Sequence, residues 1–204
     1  KELFVYSKLP PHPNILKCFG YAQTTDSMFI LFEYLKNKDL WEYYFKDRSR
    51  RLNPKQIAKF IWQLCDALRF LHYYDIIHAD VKLENILIDD DDNIRLCDFG
   101  LAQINHNDYD SNYRRGVCGT VGYIAPEIYK EEANSVTDAI DSWAVGVVLY
   151  ELLYRKSPFV DPNKLNQYKH KDGSLNKEQL YALMTKFPSL PRNIDEDLLD
   201  LFRR

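Results

Sequence analysis

The chain has 204 residues, of which 46% are apolar and 28% are charged, and its formal net charge is −3. This composition predicts one soluble globular unit with a sizeable core, and the near-neutral charge argues against a nucleic-acid-binding protein, which would carry a basic stripe. No apolar stretch approaches the length of a membrane span, and no signal-peptide pattern is present.

The cysteines are scattered along the sequence, at Cys18, Cys65, Cys97 and Cys118. Their spacing matches no metal site, so we interpret them as reduced thiols. Reduced thiols are typical of proteins of the cytoplasm or the nucleus, and we expect this protein in one of those compartments.

The beginning of the chain predicts one short helix and two strands. Apolar residues at helical spacing indicate a helix over residues 2–9, which a proline-rich segment ends. Residues 15–21 and 27–34 are predicted to be two paired strands, because they flank a polar turn.

A long amphipathic helix is predicted next. Asn53 and Pro54 match an N-cap with proline at the first helical position. Apolar residues then continue at helical spacing over residues 55–73. We expect this helix to pack on the core.

Two further strands are predicted at residues 86–88 and 94–96, on either side of the acidic run from Asp89 to Asp92. The acidic run has two interpretations, a metal site or the solvated tip of a hairpin. We favour the tip, because short apolar strands flank it on both sides.

The last third of the chain is predicted to be mostly helical. Residues 138–154 are apolar nearly all round, so a helix there must be buried. Residues 163–173 are polar and rich in lysine, and we predict a loop. Residues 176–186 and 195–204 are predicted to be the last helices.

Four short motifs follow one another from residue 80 onward. They are Asp80-Val81-Lys82-Leu83-Glu84-Asn85, Asp98-Phe99-Gly100, Ala125-Pro126-Glu127 and Asp141-Ser142-Trp143-Ala144-Val145-Gly146. A motif such as Asp-Phe-Gly is common by chance when it stands alone. Four of them in this order are very unlikely by accident.

The polar residues of the first two motifs suit phosphoryl transfer, which needs in-line positioning and neutralised phosphate charge. Asp80 would accept or orient the proton of an attacking hydroxyl, and Lys82 is a point charge for the γ-phosphate. Asn85 and Asp98 offer hard oxygen ligands that suit Mg²⁺. Each residue alone would be interpreted as a solvated loop side chain, but the ordered set favours the chemical role.

These motifs resemble those of the eukaryotic protein kinase family, and the resemblance runs along the whole chain. It implies an α+β, protein-kinase-like fold, with a mostly helical large lobe and the end of a small-lobe antiparallel sheet. Residues 1–35 would be the C-terminal part of the small lobe and the hinge. Residues 36–204 would be the large lobe, truncated at its C-terminus.

The resemblance also implies the serine/threonine form of the family and assigns site residues. Lys82, two residues after Asp80, and the segment from Gly119 to Glu127 match the serine/threonine pattern. The implied catalytic residues are Asp80, Lys82, Asn85 and Thr120, with Thr120 bonded to Asp80 and Lys82. Asn85 and Asp98 would hold Mg²⁺. The residues expected around ATP are Glu2, Phe32, Glu33, Leu35, Asp39, Leu87, Cys97 and Asp98. For Leu87 and Cys97, simple core packing is a compatible second interpretation.

Regulation in this family would involve a stack of side chains and the activation loop. The stack would contain Tyr6, Cys18, His78 and Phe99, anchored by Asp141. Ala79 stands where regulated relatives carry an arginine that pairs with a loop phosphate. We therefore expect activity to be largely independent of the loop residues Tyr109, Ser111 and Tyr113, with Arg114 and Arg115 as ordinary exposed side chains.

Two segments typical of the family do not precede the His12-Pro13-Asn14-Ile15 stretch. The sequence contains no Gly-x-Gly-x-x-Gly loop and no strand lysine ahead of it. We expect residues 1–204 alone to be inactive, to bind ATP poorly and to expose apolar small-lobe surface.

The leading hypothesis is a serine/threonine protein kinase that transfers the ATP γ-phosphate to protein Ser/Thr hydroxyls. The alternative is a pseudokinase or scaffold that binds partners without phosphoryl transfer. A small-molecule kinase of related fold is disfavoured because the peptide-docking segment after Gly119 is present, and a metal-dependent phosphatase or nuclease is a distant option. The protein substrate is expected to carry arginine before its acceptor residue, and this arginine would face Asp39, Glu84 and Glu151. In the competing interpretation, Glu84 and Glu151 make internal hydrogen bonds instead.

Overall fold

The computed structural model describes residues 1–47, 49–104, 119–130, 136–186, 188, 190 and 195–203. Within these residues, helices alternate with short antiparallel two-stranded sheets, which confirms the α+β expectation. No helix in this part of the chain combines the length and the apolar character that crossing a membrane requires.

The first elements are a short helix and a two-stranded sheet, as the sequence predicts. Helix α1 spans Glu2–Lys8 and ends at Leu9, whose extended backbone leads into the prolines. Strand β1 (Cys18–Gln23) pairs antiparallel with β2 (Met28–Phe32), and the register is irregular between Cys18 and Gly20. Both strands are shorter than predicted.

A short π-helix, Trp41–Lys46, and the long helix α2, Pro54–Tyr73, come next. Asn53 and Gln56 form a reciprocal cap at the start of α2. The Asn53 Oδ1 atom accepts the Gln56 N–H at 2.9 Å, and the Gln56 side chain accepts the Asn53 N–H at 3.1 Å. This reciprocal cap satisfies two backbone donors and fixes where the helix begins. The buried side chains of α2 recur at helical spacing: Ile57, Phe60, Gln63, Leu64, Ala67, Leu68 and Leu71.

Two small antiparallel sheets frame the loop between residues 78 and 82. Strand β3 (Ile76–Ile77) precedes this loop, and a 3₁₀ turn, Leu83–Asn85, leads into β4 (Ile86–Ile88). Strand β4 pairs with β5 (Ile94–Leu96), as predicted.

The acidic run forms the turn between β4 and β5. The Asp89 carboxylate accepts the N–H groups of Asp91 at 3.0 Å and Asn93 at 2.8 Å, so it serves the turn itself. Beyond the hairpin, β3 pairs with β6 (Gln103–Ile104), a pairing that the sequence does not predict.

The remaining helices are α3 (Pro126–Tyr129), α4 (Ala139–Tyr154), α5 (Lys177–Met184) and α6 (Glu196–Arg203). The expectation that residues 163–173 form a loop is wrong for its first part, because Pro162–Tyr168 is 3₁₀-helical. The Asp161 side chain accepts the Asn163 N–H at 3.0 Å and caps this helix. Leu165 and Tyr168 pack against the core.

Helix α4 lies at the centre of the molecule and contacts both parts of the apolar core. Its buried residues point in every direction, as expected for a helix covered on all sides. One part of the core combines α2, α4 and the strands around the 78–82 loop, and the other gathers around α3 and α5. The loop at residues 78–82 is therefore supported by a buried helix directly beneath it.

Candidate active site

Three side chains surround the Asp80 carboxylate, which is itself buried. The Thr120 hydroxyl donates to Oδ1 at 2.8 Å, the Lys82 ammonium donates to Oδ2 at 2.8 Å, and the Asn85 amide donates to Oδ2 at 3.2 Å. Hydrogen bonds to both oxygens fix the orientation of the carboxylate. The Asp80 carboxylate is therefore held in one orientation within the 78–82 loop.

Lys82 and Thr120 also contact each other. The Lys82 Nζ atom donates a hydrogen bond to Thr120 Oγ1 at 2.8 Å, and the Thr120 hydroxyl in turn donates a hydrogen bond to Asp80 Oδ1. Asp80, Lys82 and Thr120 thus close a small ring across 40 residues of sequence. The predicted contact of Thr120 with both other residues is present in the structure.

Asn85 brings the second motif next to the first. Its amide Nδ2 also donates to the Asp80 backbone carbonyl at 2.9 Å, which turns Oδ1 to the opposite side. Its backbone carbonyl accepts the Cys97 N–H at 3.0 Å, so Asp98, the next residue, lies beside Asn85. Asp98 is exposed, has a φ of 64°, and accepts the Gly100 N–H on Oδ1 at 3.1 Å.

Phe99 points away from Asp98 into the core, where its ring is completely buried. It meets the Tyr6 ring edge-on at 4.9 Å between centroids and the His78 ring at 5.2 Å. Tyr6 in turn lies 5.0 Å from Phe32. The predicted stack of Tyr6, His78 and Phe99 is therefore formed, and it leaves Asp98 on the open side.

Tyr6 has an unusual environment for a phenol. Burial, and then the charge of Cys97, raises the pKa of Tyr6 well above its ordinary value, with smaller contributions from Glu2 and Cys18. Its hydroxyl has no hydrogen-bond partner among the described residues. Cys18 therefore lies near this stack, although its thiol contacts the Gly20 carbonyl.

Asp141 holds the backbone of the loop from below. Its carboxylate is 1% exposed, and it accepts the His78 N–H on Oδ2 and the Ala79 N–H on Oδ1, both at 2.9 Å. Ala79 has a φ of 62°, which L-residues adopt only at a cost. The two contacts keep the residue before Asp80 in this conformation, as the predicted anchoring by Asp141 requires.

Gly119 approaches the same loop from above. Its φ is 110°, and a Cβ atom placed on it would lie 3.1 Å from the Ala79 carbonyl oxygen and 3.2 Å from Ile124 Cγ1. Both the backbone conformation and the close approach favour glycine here. This contact positions Thr120, the next residue, against Asp80.

The residues expected around ATP occupy the rim between β2 and β4, but two of them use their side chains elsewhere. The Glu33 carboxylate accepts the Lys17 N–H at 2.7 Å and lies 3.7 Å from the Arg95 guanidinium. The Glu33 N–H donates to the Lys17 carbonyl at 2.9 Å. The Asp39 carboxylate accepts the Glu42 N–H at 2.9 Å at the start of the π-helix.

Leu87 and Cys97 line the same rim. Leu87 is half-buried and pairs with Asp39 through an isolated β-bridge, and Leu35 is half-buried just after β2. The Cys97 thiol contacts the Asn85 carbonyl at 3.4 Å. Burial, and then the charge of Asp98, raises the pKa of Cys97 to about 12, so the thiol is protonated near neutral pH.

Glu2 reaches this region from helix α1. Burial raises the pKa of its carboxyl group, the charge of Asp98 raises it further, and a hydrogen bond to the Phe99 backbone opposes both. Glu2 and Asp98 therefore face each other as two acids. A cation between them would stabilise both carboxylates.

A second pair of acids lies beyond Thr120. Glu151, on α4, is 5% exposed and accepts the Tyr123 hydroxyl at 2.6 Å. Burial raises the pKa of Glu151 to about 7, and the charge of the nearby, exposed Glu84 adds to this. Glu84 and Glu151 are thus brought together, whereas the Asp39 carboxylate caps the π-helix.

The family model described as "Protein kinase domain" matches residues 1–204. This chain belongs to the protein kinase family. It is 36% identical over 190 residues to the Aurora kinase of Saccharomyces cerevisiae, a match that covers 93% of the chain and 47% of that protein.

Other curated kinases are similar in the same way. The serine/threonine-protein kinase ppk16 of Schizosaccharomyces pombe is 31% identical over 91% of the chain and 28% of its own length. The carbon catabolite-derepressing protein kinase of Secale cereale is 34% identical over 78% of the chain and 30% of its own length. The chain spans about half or less of the length of these relatives.

The kinase motifs identify the polar centre of the site, but they miss two residues that shape it. Tyr123 is the hydrogen-bond partner of Glu151, and Gly119 makes the close approach to Ala79. A glycine directly before Thr120 was a usable indication, because such a position often requires a positive φ. The predicted loop residues Tyr109, Ser111, Tyr113, Arg114 and Arg115, together with Cys118, lie outside the described residues.

Proposed function

We propose that the protein containing this domain is a serine/threonine protein kinase, which transfers the γ-phosphoryl group of ATP to protein Ser/Thr hydroxyls. The observation that carries the proposal is the ring of Asp80, Lys82 and Thr120, closed by contacts of 2.8 Å. It supplies an oriented carboxylate for the acceptor hydroxyl and a cation beside it. Phosphoryl transfer depends on this kind of positioning and charge stabilisation.

In the proposed reaction the acceptor hydroxyl approaches Asp80. The hydroxyl oxygen forms a bond to the γ-phosphorus, the bond from this phosphorus to the bridging oxygen breaks, and ADP leaves. Asp80 orients the hydroxyl and receives its proton, while Thr120 and Asn85 hold the carboxylate. Lys82 places its positive charge where negative charge accumulates on the transferred group.

The residues present fit a magnesium nucleotide. Asp98 is an exposed carboxylate beside Asn85, whose Oδ1 is turned away from Asp80 by the Nδ2 contacts. Carboxylate and amide oxygens are ligands that Mg²⁺ accepts together with substrate phosphates. We propose that Asp98 and Asn85 hold the ion, which neutralises phosphate charge when bound. Phe32, Glu33, Leu35, Asp39, Leu87 and Cys97 would surround the nucleotide.

A transfer assay on the full-length protein tests the activity. Phosphate incorporation from labelled ATP is measured on peptide pools that offer serine, threonine or tyrosine as the sole acceptor. We expect transfer to serine and threonine, and a loss of about 10²–10⁴-fold in Asp80→Asn, because the positioned carboxylate is removed. A wild-type protein that binds ATP without transferring phosphate would instead support the pseudokinase alternative.

We propose further that the acceptor peptide carries arginine a few residues before the Ser or Thr. Support comes from Glu151 and Glu84, two neighbouring acids close to the Thr120 segment. A guanidinium matches a carboxylate with paired hydrogen bonds. Against it stands the contact of Glu151 with Tyr123, which an arginine would have to share.

A positional-scanning peptide library decides the substrate class. We expect arginine enrichment two or three residues before the acceptor, and a higher KM for an arginine-containing peptide in Glu151→Gln. An arginine-free peptide and the exposed-site variant Glu178→Gln serve as controls that should show no change. A preference for proline after the acceptor, or for acidic residues, would contradict the proposal.

We also propose the division of the chain into residues 1–35, as the end of a small lobe with its hinge, and 36–204, as the large lobe. The position of α1, β1 and β2 ahead of residue 36 supports it. A location in the cytoplasm or nucleus is proposed from the cysteines, since Cys18, Cys65 and Cys97 are free thiols.

A further inference from the structure

The segment that leads from the 3₁₀ helix into α5 concentrates positive charge on a chain that is acidic as a whole. The formal net charge of the complete sequence is −3. Residues 163–177 nevertheless contain four lysines and one acid: Lys164, Lys169, Lys171 and Lys177 against Asp172. Neither the kinase motifs nor the proposed reaction uses this segment.

A short hairpin, residues 169–175, presents the middle of the segment, and we call it the basic hairpin. Lys169 and Leu175 are paired as an antiparallel bridge. Between them, the His170 N–H donates to the Ser174 carbonyl at 2.8 Å. The lysines of the hairpin are therefore carried by a hydrogen-bonded backbone.

Apolar side chains at both ends of the basic hairpin attach it to the core around α3 and α5. Leu165 and Tyr168 precede the hairpin, Leu175 ends it, and all three pack against that part of the core. Val121, the residue after Thr120, packs against the same part. The basic hairpin is thus attached to the core that also supports the proposed acceptor site.

The charges of Lys169 and Lys171 are exposed, and no ion pair within the described residues neutralises them. The first lysine of the segment, by contrast, pairs with Asp161 at 3.6 Å. The Asp172 carboxylate serves the turn of the hairpin, where it accepts the Ser174 N–H at 2.9 Å and the Ser174 hydroxyl at 2.6 Å. The hairpin therefore places two ammonium groups in solvent.

The surroundings of these ammonium groups distinguish between classes of anionic partner. A nucleic acid is bound by a basic stripe, which two lysines on an acidic chain do not form. An anionic membrane is bound by clusters of about four to eight basic residues or by an apolar anchor. Within residues 163–177, all of which the structure describes, no large apolar side chain is strongly exposed. A carboxylate-rich peptide matches a small number of compact ammonium groups, and this partner fits best.

We propose that the basic hairpin is a docking surface for an acidic segment of the protein substrate, at a distance in sequence from the acceptor Ser or Thr. The proposal rests on the proposed function and adds a second element to the substrate class. Carboxylates of the substrate would lie against Lys169 and Lys171. Docking there raises the effective concentration of the acceptor near Asp80, so it lowers KM and leaves kcat unchanged.

A binding experiment on the full-length protein tests the surface without reference to activity. The probes are a labelled oligoglutamate peptide and an oligoglutamine peptide of the same length. We expect only the glutamate peptide to bind, and added salt to weaken its binding, because salt screens exposed charges. The double variant Lys169→Ala/Lys171→Ala should bind it about 3- to 10-fold more weakly, since exposed charge contacts are individually weak.

Two further double variants control for the loss of charge. Lys8→Ala/Lys55→Ala removes two other exposed lysines and should bind as the wild type does. Lys169→Arg/Lys171→Arg keeps the charge of the hairpin and should retain binding. Equal weakening in the Lys8/Lys55 and Lys169/Lys171 alanine variants would overturn the proposal. So would tighter binding of duplex DNA or of phosphatidylserine vesicles than of the glutamate peptide at the same salt concentration.

The kinetic experiment joins each probe peptide to an acceptor peptide through glycine–serine linkers of increasing length. We expect the glutamate version to have a KM about 3- to 10-fold below that of the glutamine version, with a dependence on linker length. Lys169→Ala/Lys171→Ala should abolish the difference without a change in kcat. An active enzyme with the same KM for both versions would overturn the docking surface and leave the proposed function intact. Loss of glutamate binding in the hairpin variant of a protein that transfers no phosphate would support the acidic partner and contradict the proposed function.

Discussion

Within the described residues, the loop around Asp80 finds partners for its buried polar groups, whereas the sheet of β1 and β2 leaves large apolar side chains uncovered. Around Asp80, buried polar groups find partners on α4, on the Thr120 segment and within the loop itself. On the sheet, large apolar side chains are open to solvent, with Phe19 63% and Phe29 55% exposed. Tyr21, Met28 and Leu31 share this exposure.

This difference separates two tasks of a kinase domain. The groups that would act on the acceptor hydroxyl are held by contacts that residues 78–141 make among themselves. The side of the site expected to face the nucleotide depends on a sheet that buries little apolar surface within the described residues. The buried contacts that stabilise the fold and the groups that would act on the acceptor hydroxyl are therefore concentrated in the same region.

The largest effect should come from Asp98→Asn, which lies on the open side of the site next to Asn85. Replacing the carboxylate by an amide removes its charge and weakens the proposed Mg²⁺ ligand, so we expect kcat to fall by about 10²–10⁴-fold or more. Phosphate transfer by the full-length protein measures it. Asp91→Asn, at the β4–β5 turn, should keep wild-type activity. Equal activity of Asp98→Asn and wild type would show that the site assignment is wrong.

Replacing one phenylalanine by alanine in the core and one in the β1–β2 sheet compares how much each region contributes to the free energy of unfolding. Phe60 on α2 is 2% exposed, so Phe60→Ala should lower the free energy of unfolding by about 3–5 kcal/mol. Phe29→Ala on β2 should change it by less than about 0.5 kcal/mol, because more than half of this residue is already exposed to solvent. Urea unfolding of the chain of residues 1–204 measures both. Similar costs at the two positions would show that the sheet is as well packed as the core.

A pH titration tests the buried acid beside the Thr120 segment. The pKa of Glu151 rises from 4.5 to about 7, so the folded protein binds this proton more tightly than the unfolded chain does. Its contribution to stability is complete below pH 4.5 and is lost as the pH rises through 7. Wild type should lose about 3 kcal/mol relative to Glu151→Gln over this window.

The control for this titration is an exposed acid. Glu178→Gln, on α5, should follow wild type at every pH. If the difference between wild type and Glu151→Gln stays constant from pH 4 to pH 8, the carboxyl group is not titrating as its burial requires.

The smallest effect is expected where the Thr120 segment meets the loop. In Gly119→Ala the new Cβ would crowd the Ala79 carbonyl, and the φ of 110° is unfavourable for alanine. We expect kcat to fall about 10- to 100-fold, through displacement of Thr120 and the loop. Gly173→Ala, with a φ of 86° and no atom within 4 Å of the new Cβ, should be destabilised without this loss. Equal loss in both variants would point to general instability instead.

Much of the fold could be predicted because long elements carry repeated information. Helix α2 shows its cap at Asn53 and its apolar spacing over several turns, and α4 is apolar on every side. The pairing of β3 with β6 could not be predicted, because two-residue strands show no periodicity. The 3₁₀ helix at Pro162–Tyr168 was missed because it buries little and depends on the Asp161 cap.

In the candidate active site too, some contacts could be predicted from the sequence and others could not. Asp80, Lys82 and Thr120 meet as the family resemblance implies, since that resemblance carries three-dimensional information. Glu33 was expected near ATP, but the sequence could not show that its carboxylate is bound to the Lys17 N–H. His72 Nε2 lies 2.8 Å from Asp141 Oδ2, and this contact depends on how two helices cross, which no local pattern encodes.

The anchoring of the 78–82 loop by Asp141 has a consequence for synthesis. The two hydrogen bonds join residues separated by 62 and 63 positions in the chain. At a translation rate of roughly 5–20 residues per second, the ribosome needs several seconds to pass from one to the other. During that interval the newly made loop lacks the acid that holds it, so Asp80 can reach its working position only after helix α4 has begun to emerge.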